Sequence, residues 1–164
     1  MKYVIWDLDN CLSDDTWRIK YIRWNEDVPS KRYADYHRGC GMDQPWAPHV
    51  EIFDKVIEDA TPIFLTGRPL LVRPPTLYWL EHRLSYKETP ILLMRNNDDE
   101  RKSVLLKEDM LKSLRHEWDI EPEMAFDDRP EIVEMYIRNG VAAKQLAISN
   151  PDLAYVKPVK EIIS

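Results

Sequence analysis

An apolar run that ends on two aspartates constrains this chain more than any other stretch: Tyr3-Val4-Ile5-Trp6 leads directly into Asp7-Leu8-Asp9. Apolar on successive residues and partly β-branched, the run reads as a central parallel strand covered on both sides, not as an alternating surface strand. A carboxylate pair at the edge of a core is costly without compensation. A positive partner is therefore expected beside Asp7 and Asp9.

The same pattern returns along the chain. Pro62-Ile63-Phe64-Leu65 ends on Thr66-Gly67-Arg68, and Pro90 to Met94 forms a third apolar run. A charged loop, Arg95 to Lys102, leads from it into a helix spanning Ser103 to Trp118. Ala125-Phe126 closes a fourth strand that runs into Asp127-Asp128-Arg129-Pro130, and Gln145 to Ile148 reads as a fifth. Between these runs lie an amphipathic helix from Ala47 to Asp59, a second from about Pro75 to Tyr86, and a third ending near Gly140. Strands alternating with helices predict an α/β fold with a doubly wound parallel sheet, whose strand tips face one edge. At 164 residues the chain reads as a single domain, able to bury a core without disulfides.

Residues 13–46 break the alternation and read as a small helical cap inserted after the first strand. Trp17, Tyr21 and Trp24 fall at helical spacing behind Ser13 and Asp14 as capping candidates, and Tyr33, Tyr36 and Trp46 continue the aromatic theme. Packing into the insert's own core and shading the crevice is the expectation for these rings. Stacking on a base is the alternative, since Arg18, Lys20, Arg23, Lys31, Arg32 and Arg38 are interleaved with them. The tail after Asn150 carries no clear pattern.

Convergence of the strand tips would bring Asp7, Asp9, Thr66, Asp127 and Asp128 together, with Lys107 or the competing Lys102 nearby. Four carboxylates in one place require a cation, and oxygen-only ligands favour a hard ion such as Mg²⁺. His37, His49, His82 and His116 are scattered and read as surface or core histidines. A divalent ion, a carboxylate, a hydroxyl and a lysine are the parts needed to handle a phosphoryl group. Asp7 is placed to attack phosphorus and Asp9 to move the proton, while Thr66, Gly67 and Lys107 would hold phosphate oxygens.

The order Asp-x-Asp, strand-end Thr, Lys, Asp-Asp resembles the haloacid dehalogenase superfamily of phosphohydrolases. A phosphorylation-receiver domain shares an acidic pair and a lysine, but there the acidic pair comes first, and here it comes last. Within the superfamily, Asp7-Leu8-Asp9, Thr66-Gly67-Arg68, the stretch Arg95 to Glu108 and the stretch Asp127 to Val141 resemble the 3'-phosphatase domain of phage-type polynucleotide kinase/phosphatase. That resemblance covers roughly residues 1–12 and 60–149 and is weak over the insert. It implies Asp7 as nucleophile, Asp9 as acid/base and backbone metal ligand, and Asp127 with Asp128 behind it as metal ligands. It also implies Thr66, Arg68 and Lys107 as phosphate contacts; Arg95, Asp99 and Lys102 from the matching stretch, and Arg18 from the cations of the insert, are read as possible substrate contacts. Asn10-Cys11 departs from the family's Gly-Thr, which makes the turn less flexible and removes a hydroxyl.

The resemblance implies a Mg²⁺-dependent phosphomonoesterase acting on a 3'-phosphorylated nucleic-acid end through an aspartyl-phosphate. A nucleotidase or other small-molecule phosphatase is the alternative, and a catalytically silent binding protein the third reading. None of the four glycines begins a GxxxxGK[ST] phosphate loop, so 5'-phosphorylation would come from another protein. A net charge of -6 marks no nucleic-acid binder as a whole. Two cysteines, Cys11 and Cys40, form no disulfide scaffold or CxxC site, which fits a reducing cytoplasm, with a single Cys11–Cys40 bridge as the alternative. No apolar run reaches the roughly 20 residues that a membrane span needs. The oligomeric state leaves no signal in the sequence.

Overall fold

The structure, a computed structural model, describes residues 1–149, so the tail after Asn150 lies outside the described residues. The opening apolar run forms β1 (Tyr3–Trp6), which occupies the centre of the main sheet. Its side chains alternate between two cores. Val4 and Trp6 enter one, where Trp6 stacks on Phe126 at 4.3 Å and meets the edge of Phe53 at 5.2 Å. Ile5 enters the other with Ile63, Leu65 and Ala125. A strand buried on both faces must be apolar on both, which is why the run lacks alternation.

Residues 13–46 open on β2 (Ser13–Asp14) and close on β3 (Gln44–Pro45), which pair antiparallel as a two-stranded ribbon. Between them lie a 3-10 helix (Thr16–Tyr21), α1 (Pro29–Arg32), α2 (Ala34–Arg38) and a short 3-10 turn (Cys40–Met42). Helical spacing of the three aromatics does not produce a buried face: Trp17, Tyr21 and Trp24 are exposed. Arg18 is the buried residue of that segment, so a buried charge organises it in place of an apolar stripe. Ser13 and Asp14 form β2, and Asp14 Oδ1 accepts from the Thr16 amide at 3.1 Å.

The rest of the chain builds the sheet and its cover. α3 (Ala47–Val56) precedes β4 (Thr61–Pro69), and α4 (Arg73–Tyr78) runs into a π-helical turn (Trp79–Arg83) before β5 (Ile91–Arg95). α5 (Ser103–His116), β6 (Met124–Asp127), α6 (Pro130–Arg138) and β7 (Ala142–Gln145) follow. The sheet order is β5-β4-β1-β6-β7 with every pairing parallel. Phe53 and Val56 of α3 with Trp79 and Leu80 cover one face, while Leu106, Met110, Ile132 and Met135 of α5 and α6 cover the other. This is the doubly wound α/β architecture.

The last strand sits three residues earlier than the apolar run suggests. Leu146, Ala147 and Ile148 are buried but have left the ladder, and β7 itself alternates exposed and half-buried residues, as an edge strand does. Cys11 and Cys40 are both buried free thiols, which corrects the alternative of a bridge. Among the described residues no helix is long and apolar enough to cross a membrane.

Candidate active site

Parallel pairing with β4 and β6 places the tip of β1 between two other tips, and the side chains that end those strands meet there. Asp7 follows β1 with its amide bonded to the Phe126 carbonyl at 3.0 Å, and Asp127 ends β6. Lys107 reaches both from α5: its Nζ donates to Asp7 Oδ1 at 2.8 Å and to Asp127 Oδ2 at 2.6 Å. All three are at least 95% buried. Lys107 lies on the face of α5 that also buries Leu106, Met110 and Leu111, whereas Lys102 precedes the helix and is exposed.

One ammonium does not balance this cluster. Oxygens of Asp7, Asp127 and Asp128 lie within 4.8 Å of one another, so three carboxylates share a single lysine. Burial and the charge of Asp7 push the Asp127 and Asp128 carboxyls above their ordinary range. Burial lowers Lys107, but Asp127 and Asp7 outweigh it and hold the ammonium charged. A pocket of carboxylate oxygens with surplus negative charge fits a hard divalent cation. Asp9 contributes no side-chain oxygen to this group.

Asn10 explains how the acidic turn is held. It adopts the left-handed conformation, φ 59°, which Asn tolerates better than most side chains. Its Nδ2 donates to Asp128 Oδ2 at 3.0 Å and to Ser149 Oγ at 2.9 Å. The residue that departs from the family's glycine thus keeps the turn and adds a tether to Asp128. Cys11 is fully buried, and its carbonyl accepts from His49 Nδ1 at 2.5 Å.

Asp9 faces a second cluster. Arg68 donates to it from Nη2 at 2.6 Å and Nε at 3.1 Å, and Arg18 from Nη2 at 2.5 Å. Both guanidiniums are fully buried. Arg18 also binds Asp43 through Nε at 2.8 Å and Nη2 at 2.7 Å, and lies 4.2 Å from the Tyr36 ring centroid. Asp43 accepts further from Ser13 Oγ at 2.5 Å and Trp17 Nε1 at 2.8 Å. Burial would raise the Asp9 carboxyl, but Arg68 and Arg18 together carry it far below the usual carboxylate range. Arg18 is therefore an internal clamp between the insert and Asp9, not the open substrate contact that its aromatic neighbours suggest.

Thr66 and Gly67 lie where β4 loses its register with β5, between Leu65 and Pro69. Thr66 is 1% exposed and its Oγ1 accepts from the Arg68 amide at 3.2 Å. Arg68 is turned inward, onto Asp9, Ser13 and Thr76. Arg95 braces the neighbouring tip: Nε donates to the Gly67 carbonyl at 3.1 Å and Nη1 to the Asp99 carbonyl at 3.0 Å. Asp99 is held by Arg101, with Nη2 at 2.8 Å from Oδ2. Sequence reasoning missed Ser13 and Asp43, because a buried ion pair between residues 25 apart leaves no periodic signal.

Asp15 adds a pH-sensitive element to the insert. Its Oδ2 accepts from the Tyr36 hydroxyl at 2.5 Å, while its buried Oδ1 has no partner. Burial and the nearby Asp9 charge push its carboxyl from 3.8 to about 6. Between those values the native state holds a proton that the unfolded chain has released, so this group costs stability as pH rises through the window. Asp15→Asn is expected to flatten that slope, with a gain of at most about 3 kcal/mol above it. Urea midpoints of the two proteins from acid to neutral pH check this, and parallel curves would refute it. Asp9 acts oppositely, since its contribution is lost only as acid protonates it below the ordinary carboxylate range.

Comparison with known proteins gives a consistent picture. The family model for the polynucleotide kinase PNKP phosphatase domain matches residues 2–150. A comparison with curated proteins finds no match. Among solved structures, the chain is similar to one in the Pnkp1/Rnl/Hen1 complex, with 24% identity and a TM-score of 0.64 over 88% of this chain and 45% of that one. It thus spans less than half of that relative's length. A hydrolase from Streptococcus pneumoniae TIGR4 is similar over 90% of this chain and 94% of its own, with 14% identity and a TM-score of 0.57.

Proposed function

This chain belongs to the polynucleotide kinase PNKP phosphatase domain family and is a phosphatase of the haloacid dehalogenase type, and from that premise we propose that it removes terminal 3'-phosphates from nucleic acid by a Mg²⁺-dependent, aspartyl-phosphate mechanism. The observation that carries the proposal is the buried group of Asp7, Asp127 and Asp128 around Lys107 at the tips of β1 and β6. Residues 13–46 act as a small cap over this edge of a single domain. Asp7, Asp127 and Asp128 with the Asp9 backbone would hold Mg²⁺, which would offset charge on the transferring phosphoryl group.

Every other part of the reaction falls to the chain. Asp7 attacks phosphorus, and the bond from phosphorus to the 3'-oxygen breaks. That oxygen takes a proton from Asp9. Water then attacks the acyl-phosphate, gives a proton back to Asp9, and releases inorganic phosphate with Asp7 restored. Held ionised by Arg18 and Arg68, Asp9 is set for the second of these proton transfers. The first transfer requires Asp9 to carry a proton, which the like charge of an incoming phosphate dianion favours against the pull of Arg18 and Arg68. Lys107 donates to Asp7 Oδ1 and so orients the nucleophile, and Thr66 with the Gly67 amide holds phosphate oxygens.

Phosphate release from a 3'-phosphorylated oligonucleotide, its 5'-phosphorylated counterpart, and 3'- and 5'-mononucleotides tests the substrate. The 3'-phosphorylated oligonucleotide is expected to be preferred, with activity lost in EDTA and restored by Mg²⁺. Preference for 5'-mononucleotides overturns the polynucleotide assignment in favour of a nucleotidase. Full activity in chelator removes the metal from the mechanism.

A further inference from the structure

The insert's aromatic rings form a connected series from the second carboxylate to the surface. Asp9 binds Arg18, whose guanidinium lies over the Tyr36 ring at 4.2 Å. Tyr36 meets Tyr33 with centroids 6.0 Å apart, and Tyr33 meets Trp24 at 6.3 Å with nearly perpendicular planes. Exposure grows along the series: Tyr36 is buried, Tyr33 half-buried, and Trp24 is 67% exposed. Trp24 therefore contributes little to the insert's core. Its ring is fixed at the edge by Tyr33 and open to a ligand.

Charge is sorted around this series. Lys20, Arg23, Lys31 and Arg38 are exposed, Arg23 and Arg38 both paired with Asp35, whereas Asp27 is the one exposed acid among residues 13–46. Asp15 and Asp43 are buried, and Asp14, Glu26 and Asp35 are half-buried. A chain of net charge -6 thus turns cations outward on this segment. Exposed aromatic faces among outward cations suit a single-stranded polyanion whose bases have π-faces. They suit a protein partner less, because the cores of protein interfaces are depleted of charge.

His37 gives an independent sign of a ligand. Its ring lies 5.0 Å from Tyr36 and 6.1 Å from Tyr33, and its buried Nδ1 has no hydrogen-bond partner. The ring packs against Tyr36, the same ring that Arg18 covers while it binds Asp9. A shielded polar atom without a partner is costly, and a bound ligand can supply one.

We propose that Trp24, backed by Tyr33 and with His37 packed behind Tyr33 and Tyr36, is a stacking position for a nucleobase of single-stranded nucleic acid whose terminal phosphate occupies the Asp7 site. The inference rests on the polynucleotide reading above and adds the residues that recognise the strand. Stacking on Trp24 lengthens the contact beyond the phosphate, so it favours a polymer end over a small phosphomonoester.

The test compares the full-length protein with Trp24→Ala and Trp24→Phe in Mg²⁺, on a single-stranded 3'-phosphorylated oligonucleotide and on p-nitrophenyl phosphate. For Trp24→Ala, the ratio of kcat/KM on the oligonucleotide to that on p-nitrophenyl phosphate is expected to fall about tenfold, mostly through KM. Trp24→Phe is expected to recover most of the ratio. A ratio equal to that of the parent protein overturns the stacking position, whether the individual rates change or not. If the parent protein hydrolyses p-nitrophenyl phosphate but not the oligonucleotide, the polynucleotide reading fails and this inference falls with it. If the parent protein processes the oligonucleotide and Trp24→Ala does so equally, the stacking position alone is refuted.

Discussion

Asp7→Asn is expected to lower the rate of phosphate release at least about a thousandfold, which corresponds to roughly 4 kcal/mol in barrier. An amide cannot form the acyl-phosphate, and nothing else at the tip of β1 takes its place. The fold is expected to survive, because Asn is nearly isosteric and Lys107 keeps its 2.6 Å bond to Asp127. Removing one of three crowded carboxylates also relieves the repulsion that raises Asp127 and Asp128. Thermal unfolding alongside phosphate release separates the two effects. Release at the parent rate in Mg²⁺ would mean that Asp7 is not the nucleophile.

The second large effect is structural and lies in the insert. Arg18→Met removes the guanidinium shared by Asp9 and Asp43, and Asp43 is fully buried. Deleting one partner of a buried pair leaves an uncompensated charge and costs about 3–5 kcal/mol. Ser13 and Trp17 still donate to Asp43 without carrying charge, and the remaining cation, Arg68, stands 3.8 Å away and is engaged with Asp9. Adding Asp43→Leu to the same chain is expected to recover part of the loss, since apolar replacement of a whole buried pair is often neutral. Urea unfolding of both single variants and the double variant forms the cycle, and strict additivity would show that the two residues are not coupled.

Much of the fold was legible because the strands β1, β4 and β6 are buried on both faces and carry the uninterrupted apolar runs that such burial demands. β7 was misplaced for the converse reason: Ala142 and Lys144 face solvent at the edge, while the apolar Leu146 to Ile148 fill the core beyond it. Asp7 and Asp127 could be brought together on paper because the parallel sheet puts their strand tips on one edge. Choosing between Lys102 and Lys107 was a matter of helix face, visible in hindsight in the apolar spacing of Leu106, Met110 and Leu114. The insert is helical as its sequence suggests, but the helical spacing of Trp17, Tyr21 and Trp24 does not mark its buried face, which holds Arg18, Asp43 and Tyr36. Charge pairs of that kind depend on where the chain returns, and no local pattern records it.

The central position of β1 has a consequence for how the protein is made. β1 emerges from the ribosome before both of its partners, and β6 follows only after Met124. Until β4 follows, Val4 to Trp6 have no strand to pair with, and one edge of β1 stays open until β6 arrives. Long-range parallel pairing of this sort is slow and leaves apolar surface open to aggregation during synthesis. Asp127 and Asp128 arrive with β6, the strand that covers the second edge of β1, so the acidic cluster forms as β1 gains its last partner.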